Sequence, residues 1–214
     1  MLFSERKRRL LWLLIGLNGF SLACYFIPAI AYGFLQEIPH SIFAAPDTDT
    51  YLNVADWLRG QITFPQSLLS RPFLYPLLLA LIRSVSLNPY AIWLVQFVFW
   101  LLAINLTALS AYRLTASKLM LLAVFVGASL NLTLWSLTFY GLTETTVFLL
   151  LACFLYGWSR RQEKSASRDD FLLVLLLSLL TVVKPVFQVP LMVFVLSRIW
   201  RYRKNYRVLS LIFA

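Results

Sequence analysis

Apolar residues in this chain fall in long blocks separated by short polar stretches, not in strict alternation. Three blocks, at 10–32, 90–112 and 119–139, reach the roughly 20 residues that a helix needs to span hydrocarbon. Three more, at 147–158, 171–183 and 186–199, continue the pattern, and a further apolar start at 208 runs to Ala214. Unbroken Leu, Phe and Trp argue against a β-barrel, whose strands alternate. The pattern predicts an all-α, polytopic membrane protein. It would hold about six complete transmembrane helices and a truncated seventh, in a single module over 1–214.

One long segment departs from the pattern. Residues 45–76 read APDTDTYLNVADWLRGQITFPQSLLSRPFLYP and hold Asp47, Asp49, Asp56, Arg59 and Arg71 among several prolines. Within it, 50–60 space Tyr51, Leu52, Val54, Ala55 and Leu58 on one face, which predicts a short helix started by Asp49 or Thr50 and ended by Gly60. The apolar run 73–82 is about half of a spanning length, so the helix over 73–86 is expected to lie at the interface. The first outer loop, about 33–88, would then carry two short juxtamembrane helices.

Charge supports this layout. With 73–86 not crossing, 15 of the 19 basic residues lie in segments on the side of the SERKRR N-terminus, and only Arg59, Arg71, Arg83 and Lys184 lie opposite. The positive-inside rule makes the first side cytoplasmic. The expectation is a multi-pass integral protein of the plasma or inner membrane, contacting membrane lipids. An uncleaved first helix fits 10–32 better than a signal peptide, whose apolar region is only 7–15 residues. Hydrophobic residues are 60% and charged residues 13%, with a mean hydropathy of +0.76. The net charge of +10 therefore reads as helix-end anchoring, and no nucleic-acid partner is expected. Cys24 and Cys153 lie in apolar blocks and are expected as free thiols. The sequons at Asn105 and Asn131 are also in apolar blocks, where glycosylation is not expected.

The outer side gathers Glu37, Asp47, Asp49, Asp56 and Glu144 with Arg71 and Lys184. Asp47 and Asp49 precede a short helix, where a carboxylate serves as general base, binds a divalent cation or simply caps the helix. Arg71-Pro72 and Lys184-Pro185 suit phosphate oxygens, or snorkel at the interface. Glu144 would meet a polar substrate group or sit exposed at a turn. Asp56 reads as a surface residue, His40 as a loop residue, and the stretch 159–170 (SRRQEKSASRDD) as a solvated connector. There is no Gly-rich phosphate loop, HExxH, CxxC or GxSxG, so soluble nucleotide chemistry has no support; no cofactor is expected, with a divalent cation left open.

The pattern Asp47-x-x-x-Tyr51-x-x-x-Ala55-x-x-Leu58, followed by Arg71-Pro72-Phe73-Leu74-Tyr75-Pro76-Leu77-Leu78-Leu79-Ala80-Leu81-Ile82, resembles the GT-C-type membrane glycosyltransferases. That superfamily includes protein O-mannosyltransferases, the lipid A aminoarabinose transferase and related polyprenyl-phosphate-sugar-dependent enzymes. Thr143-Glu144 and Lys184-Pro185 resemble its later acidic and basic-Pro positions. The resemblance implies transfer of a sugar from a polyprenyl-phosphate donor to a lipid, glycan or protein acceptor at the outer face, with inversion. It gives the base role to Asp47 or, since Thr48 stands where many members have a second acid, to Asp49. It makes Arg71 and Lys184 candidates for the phosphate, and Tyr51, Tyr75 and Glu144 for the pocket. Members are longer, so it implies an N-terminal module lacking the acceptor-recognition part. The residues by themselves leave two other readings open, a non-catalytic or truncated membrane protein and a lipid or ion transporter.

Overall fold

A computed structural model describes residues 5–65, 72–161 and 167–202. Among them every regular element is helical. Helix α1 (Glu5–Ala31) contains Pro28 and ends at a turn where Gly33 takes a positive φ of 73°. Three short helices follow: α2 (Phe34–Ala44), α3 (Thr48–Leu58) and α4 (Leu74–Val85). The long α5 (Pro89–Thr115) leads to α6 (Lys118–Ser129), α7 (Leu132–Ser136) and a 3₁₀ turn at Leu137–Phe139. The chain then forms α8 (Glu144–Arg161), α9 (Ser167–Val183), a 3₁₀ turn at Pro185–Phe187 and α10 (Gln188–Tyr202).

Two helical stretches, Arg8–Ala31 and Pro89–Thr115, are long and apolar enough to cross a membrane, or three stretches if the bent pair Lys118–Ser129 and Leu132–Phe139 counts as one. This is compatible with a membrane protein and falls short of the six spans expected from the blocks. The reasons are local. The block 119–139 is broken by a 53° bend where the Asn131 side chain accepts from Leu134 N and starts a new helix. Helix α8 has only 18 residues and carries Glu144, Arg160 and Arg161 within them. The apolar parts of α9 and α10 are Asp170–Val183 and Pro185–Trp200, below the length of about 20 residues that a span needs. The Lys184-Pro185 break separates them because a residue before proline is pushed into extended backbone, as Lys184 is at φ −140° and ψ 114°. The expected seventh helix at 208–214 lies outside the described residues.

The first loop contains one helix more than expected. The sequence reading found α3 and α4 but passed over α2, which places His40 on a helix with its side chain exposed. Helix α3 begins at Thr48, with Asp47 at the N-cap position, two or three residues before the expected N-cap at Asp49 or Thr50. Gly60 follows its end with φ 71°, donating its N–H to Trp57 O.

An aromatic core ties α1, α5 and the 3₁₀ turn together. Tyr25 is wholly buried, 4.7 Å from Phe97, 5.1 Å from Trp100 and 5.7 Å from Phe139 between ring centres. Its hydroxyl lies 2.6 Å from Thr138 Oγ1 and accepts from Trp93 Nε1 at 3.0 Å. Aromatic pairs of this kind contribute about 0.5–1.5 kcal/mol each beyond the area they bury. Lower on the same helix pair, Asn18 and Asn105 exchange amide hydrogen bonds at 2.9 and 2.8 Å. Asn105 is thus committed to packing, in keeping with the reading of its sequon. Cys24 and Cys153 are free and partly buried.

The contacts fix which helix ends meet. Asn18 faces Asn105, while Tyr25 faces Trp93, so α1 and α5 are antiparallel. Gln96 bonds Thr145 near the starts of α5 and α8, and Arg113 stacks over Tyr156 at 4.9 Å near their ends, so those two are parallel. The basic N-terminal part of α1, the ends of α5 and α8 and the start of α9 therefore share one end of the bundle. The starts of α5 and α8 and the end of α9 share the other.

Candidate functional site

The second of these ends collects most of the residues marked from the sequence. Helix α8 opens with Glu144, and Lys184 follows the last residue of α9. Each is placed where the helix dipole favours its charge, the acid at an N-terminus and the base past a C-terminus. Lys184 Nζ donates to Glu144 Oε1 at 2.6 Å, and the two side chains are 38% and 32% exposed. Thr143 Oγ1 donates to Glu144 Oε2 at 3.5 Å.

A buried polar chain runs beside this pair. Thr145 Oγ1 donates to Gln96 Oε1 at 3.2 Å, and Gln96 Nε2 donates to the Tyr75 hydroxyl at 3.4 Å. Tyr75 is 1% exposed and its ring meets Tyr51 edge-on at 5.2 Å. Burial above all, then the nearby Glu144 carboxylate and Tyr51, push the Tyr75 hydroxyl above the ordinary tyrosine range. It therefore stays neutral and keeps its proton. Gln96 and Thr145 were not found from the sequence, and Thr143 was named only as the neighbour of Glu144. A glutamine inside an otherwise apolar span was the available signal, since an amide there must find a partner.

The start of α3 is tied to the same place. Gly141 N donates to Ile42 O at 3.0 Å, and Thr48 Oγ1 donates to Gly141 O at 3.3 Å. A Cβ on Gly141 would lie 2.8 Å from Thr48 Cγ2 and 2.9 Å from Ile42 O, so only glycine lets the strands of loop approach this closely. Thr48, which stands where an acid was anticipated by resemblance, is thus buried structure. Its neighbours differ: Asp47 is partly buried and Asp49 is exposed in the first turn of α3. Arg71 lies outside the described residues.

The charges at 56 and at 159–170 are more ordered than their sequence suggested. Asp56 is a partly buried ion-pair partner of Arg59 and Arg83, not a free surface acid. Ser159, Arg161 and Asp170 are buried, because α8 extends to Arg161 and α9 starts at Ser167. The stretch is therefore no simple solvated connector, although 162–166 lie outside the described residues. Arg161 Nη2 donates to Asp170 Oδ2 at 2.7 Å, and Arg198 Nε lies 3.5 Å from Asp170 Oδ1.

Among the described residues no group of three His, Cys, Asp or Glu side chains comes together to hold a metal ion. Comparison of the chain with protein-family models, curated proteins and solved structures gives no match.

Proposed function

We propose that this chain is a lipid-linked-sugar transferase module whose chemistry takes place at the end of the bundle holding Glu144 and Lys184. The observation that carries the reading is the Glu144–Lys184 pair, about one third exposed, beside the tethered start of α3. An exposed pair of this kind contributes about 0–1 kcal/mol, so an incoming phosphate can take the lysine from the carboxylate at little cost. Lys184 then holds the phosphate of a polyprenyl-phosphate sugar. Asp47, or Asp49 two residues further, accepts the proton of the acceptor hydroxyl or amine. The acceptor oxygen or nitrogen bonds to the anomeric carbon from the opposite side. The bond from that carbon to the phosphate oxygen breaks, and its electron pair leaves with the lipid phosphate. Tyr51 and the neutral Tyr75, fixed by Gln96, pack behind the site and support it, and Arg71 is a second candidate for the phosphate.

Transport gains less from the sequence, since the stretches 8–31, 89–115 and 118–139 contain no acid for an ion or proton relay. The test uses protein reconstituted in liposomes with a series of polyprenyl-phosphate sugars, scored for sugar release or transfer. Release is expected with at least one donor, and its loss in Asp47→Asn with insertion unchanged. Full activity in both Asp47→Asn and Asp49→Asn rejects the mechanism. Inactivity with every donor favours a non-catalytic membrane protein.

A further inference from the structure

A second charged group lies on the same first-loop helices, away from Glu144 and Lys184. Helices α3 and α4 run side by side in the same direction, with Tyr51 against Tyr75 near their starts and Asp56 against Arg83 near their ends. By a rise of 1.5 Å per residue, the two contacts are roughly 8–12 Å apart along the pair. At the far contact, Arg59 Nη1 donates to Asp56 Oδ1 at 3.0 Å, and Arg83 Nε lies 3.3 Å from the same oxygen. The arginine side chains are only 17% and 20% exposed. Arg83 Nε is buried with no hydrogen-bond partner among the described residues. No acid follows Asp56 in the chain until Glu144, so neither the connection to α4 nor α4 itself supplies a second carboxylate.

One carboxylate oxygen shared by two guanidiniums leaves a local excess of positive charge. Beside it the ends of α3 and α4 enclose a cleft of about 410 Å³. Arg59, Gln61 and Ser84 give it a polar side, and Leu58, Leu77 and Leu81 an apolar one. Helix α4, at 12 residues, is about 18 Å long, too short to cross a bilayer of about 30 Å.

We propose that this cleft binds the phosphate headgroup of an anionic membrane lipid. The planar donors of arginine match phosphate oxygens, and the leucine wall takes the first carbons below the headgroup. Inorganic phosphate would use the arginine and gain nothing from the leucines, so the occupant is the lipid.

The test is lipid retention by purified protein in phosphatidylcholine nanodiscs titrated with short-chain phosphatidic acid and read by native mass spectrometry. Phosphatidic acid is expected to be retained over phosphatidylcholine and to stay bound in millimolar inorganic phosphate. Arg59→Gln is expected to weaken retention about tenfold or more, as the loss of a charge-assisted hydrogen bond does. Ser84→Leu fills the exposed rim without touching the ion cluster and is expected to do the same, which keeps the test decisive if Arg59→Gln misfolds. Equal retention of the two lipids, displacement by inorganic phosphate, or unchanged retention in Ser84→Leu overturns the proposal. No sugar donor is present in this measurement, so its failure leaves the transfer reading standing.

Discussion

Two ion clusters join α8 to α9 at opposite ends of the bundle, and they differ in burial. Glu144 with Lys184 is about one third exposed, whereas Asp170 is fully buried between Arg161 and Arg198. Water screens the first pair and leaves it exchangeable. The second is cut off from water, so removing the acid leaves arginine charge stranded in an apolar interior. The difference teaches that the same residue types make an exchangeable, water-screened pair at one end and a buried tie between three helices at the other.

Breaking the buried cluster should have the largest effect. Asp170→Ala is expected to destabilise the protein by about 3–5 kcal/mol, read as a lower unfolding midpoint in detergent. Next comes Gly141→Ala, whose Cβ would press on Ile42 O and Thr48 Cγ2. A cost of about 1–3 kcal/mol is expected from such overpacking, and sugar transfer should fall with it because the start of α3 shifts. Tyr75→Phe removes the acceptor of the Gln96 amide, and about 1 kcal/mol should be lost, measurable by the same thermal scan. Lys184→Met sharpens the comparison most. Stability should change by no more than about 1 kcal/mol, while transfer from the lipid-phosphate donor is lost. A stability loss as large as that of Asp170→Ala would mean that the exposed pair also serves as a structural clamp.

Much of the fold could be read from periodicity. The helical class, α1, α5 and the short α3 and α4 all follow from apolar blocks and their lengths. The breaks were harder to see, because a single Asn131 or Lys184-Pro185 decides them by local backbone chemistry inside apolar runs. Helix α2 escaped notice since Pro39 and His40 interrupt its composition, although proline is tolerated there in a helix of 11 residues. At the candidate site, Glu144 and Lys184 stood out as charges near the ends of apolar blocks, Tyr51 and Tyr75 only through the resemblance, and the four lie at one end of the bundle. Gln96, Gly141 and the Asp170 cluster did not stand out. Their roles depend on partners 21 to 99 positions away for Gln96 and Gly141, or on the helix boundary for Asp170, which no local pattern encodes.

The paired amides of Asn18 and Asn105 bear on how the protein is made. Each side chain also donates to the carbonyl four residues back in its own helix, Asn18 to Leu14 O and Asn105 to Leu101 O, both at 2.8 Å. During synthesis α1 emerges long before residue 105 exists. An asparagine in hydrocarbon without a partner would be costly, but this one can wait, bonded to its own backbone. When α5 arrives, the two amides recognise each other, and a slip of one helical turn, about 5.4 Å, would separate them. The self-bonded amide thus satisfies the helix on its own, and the amide pair fixes its register against α5.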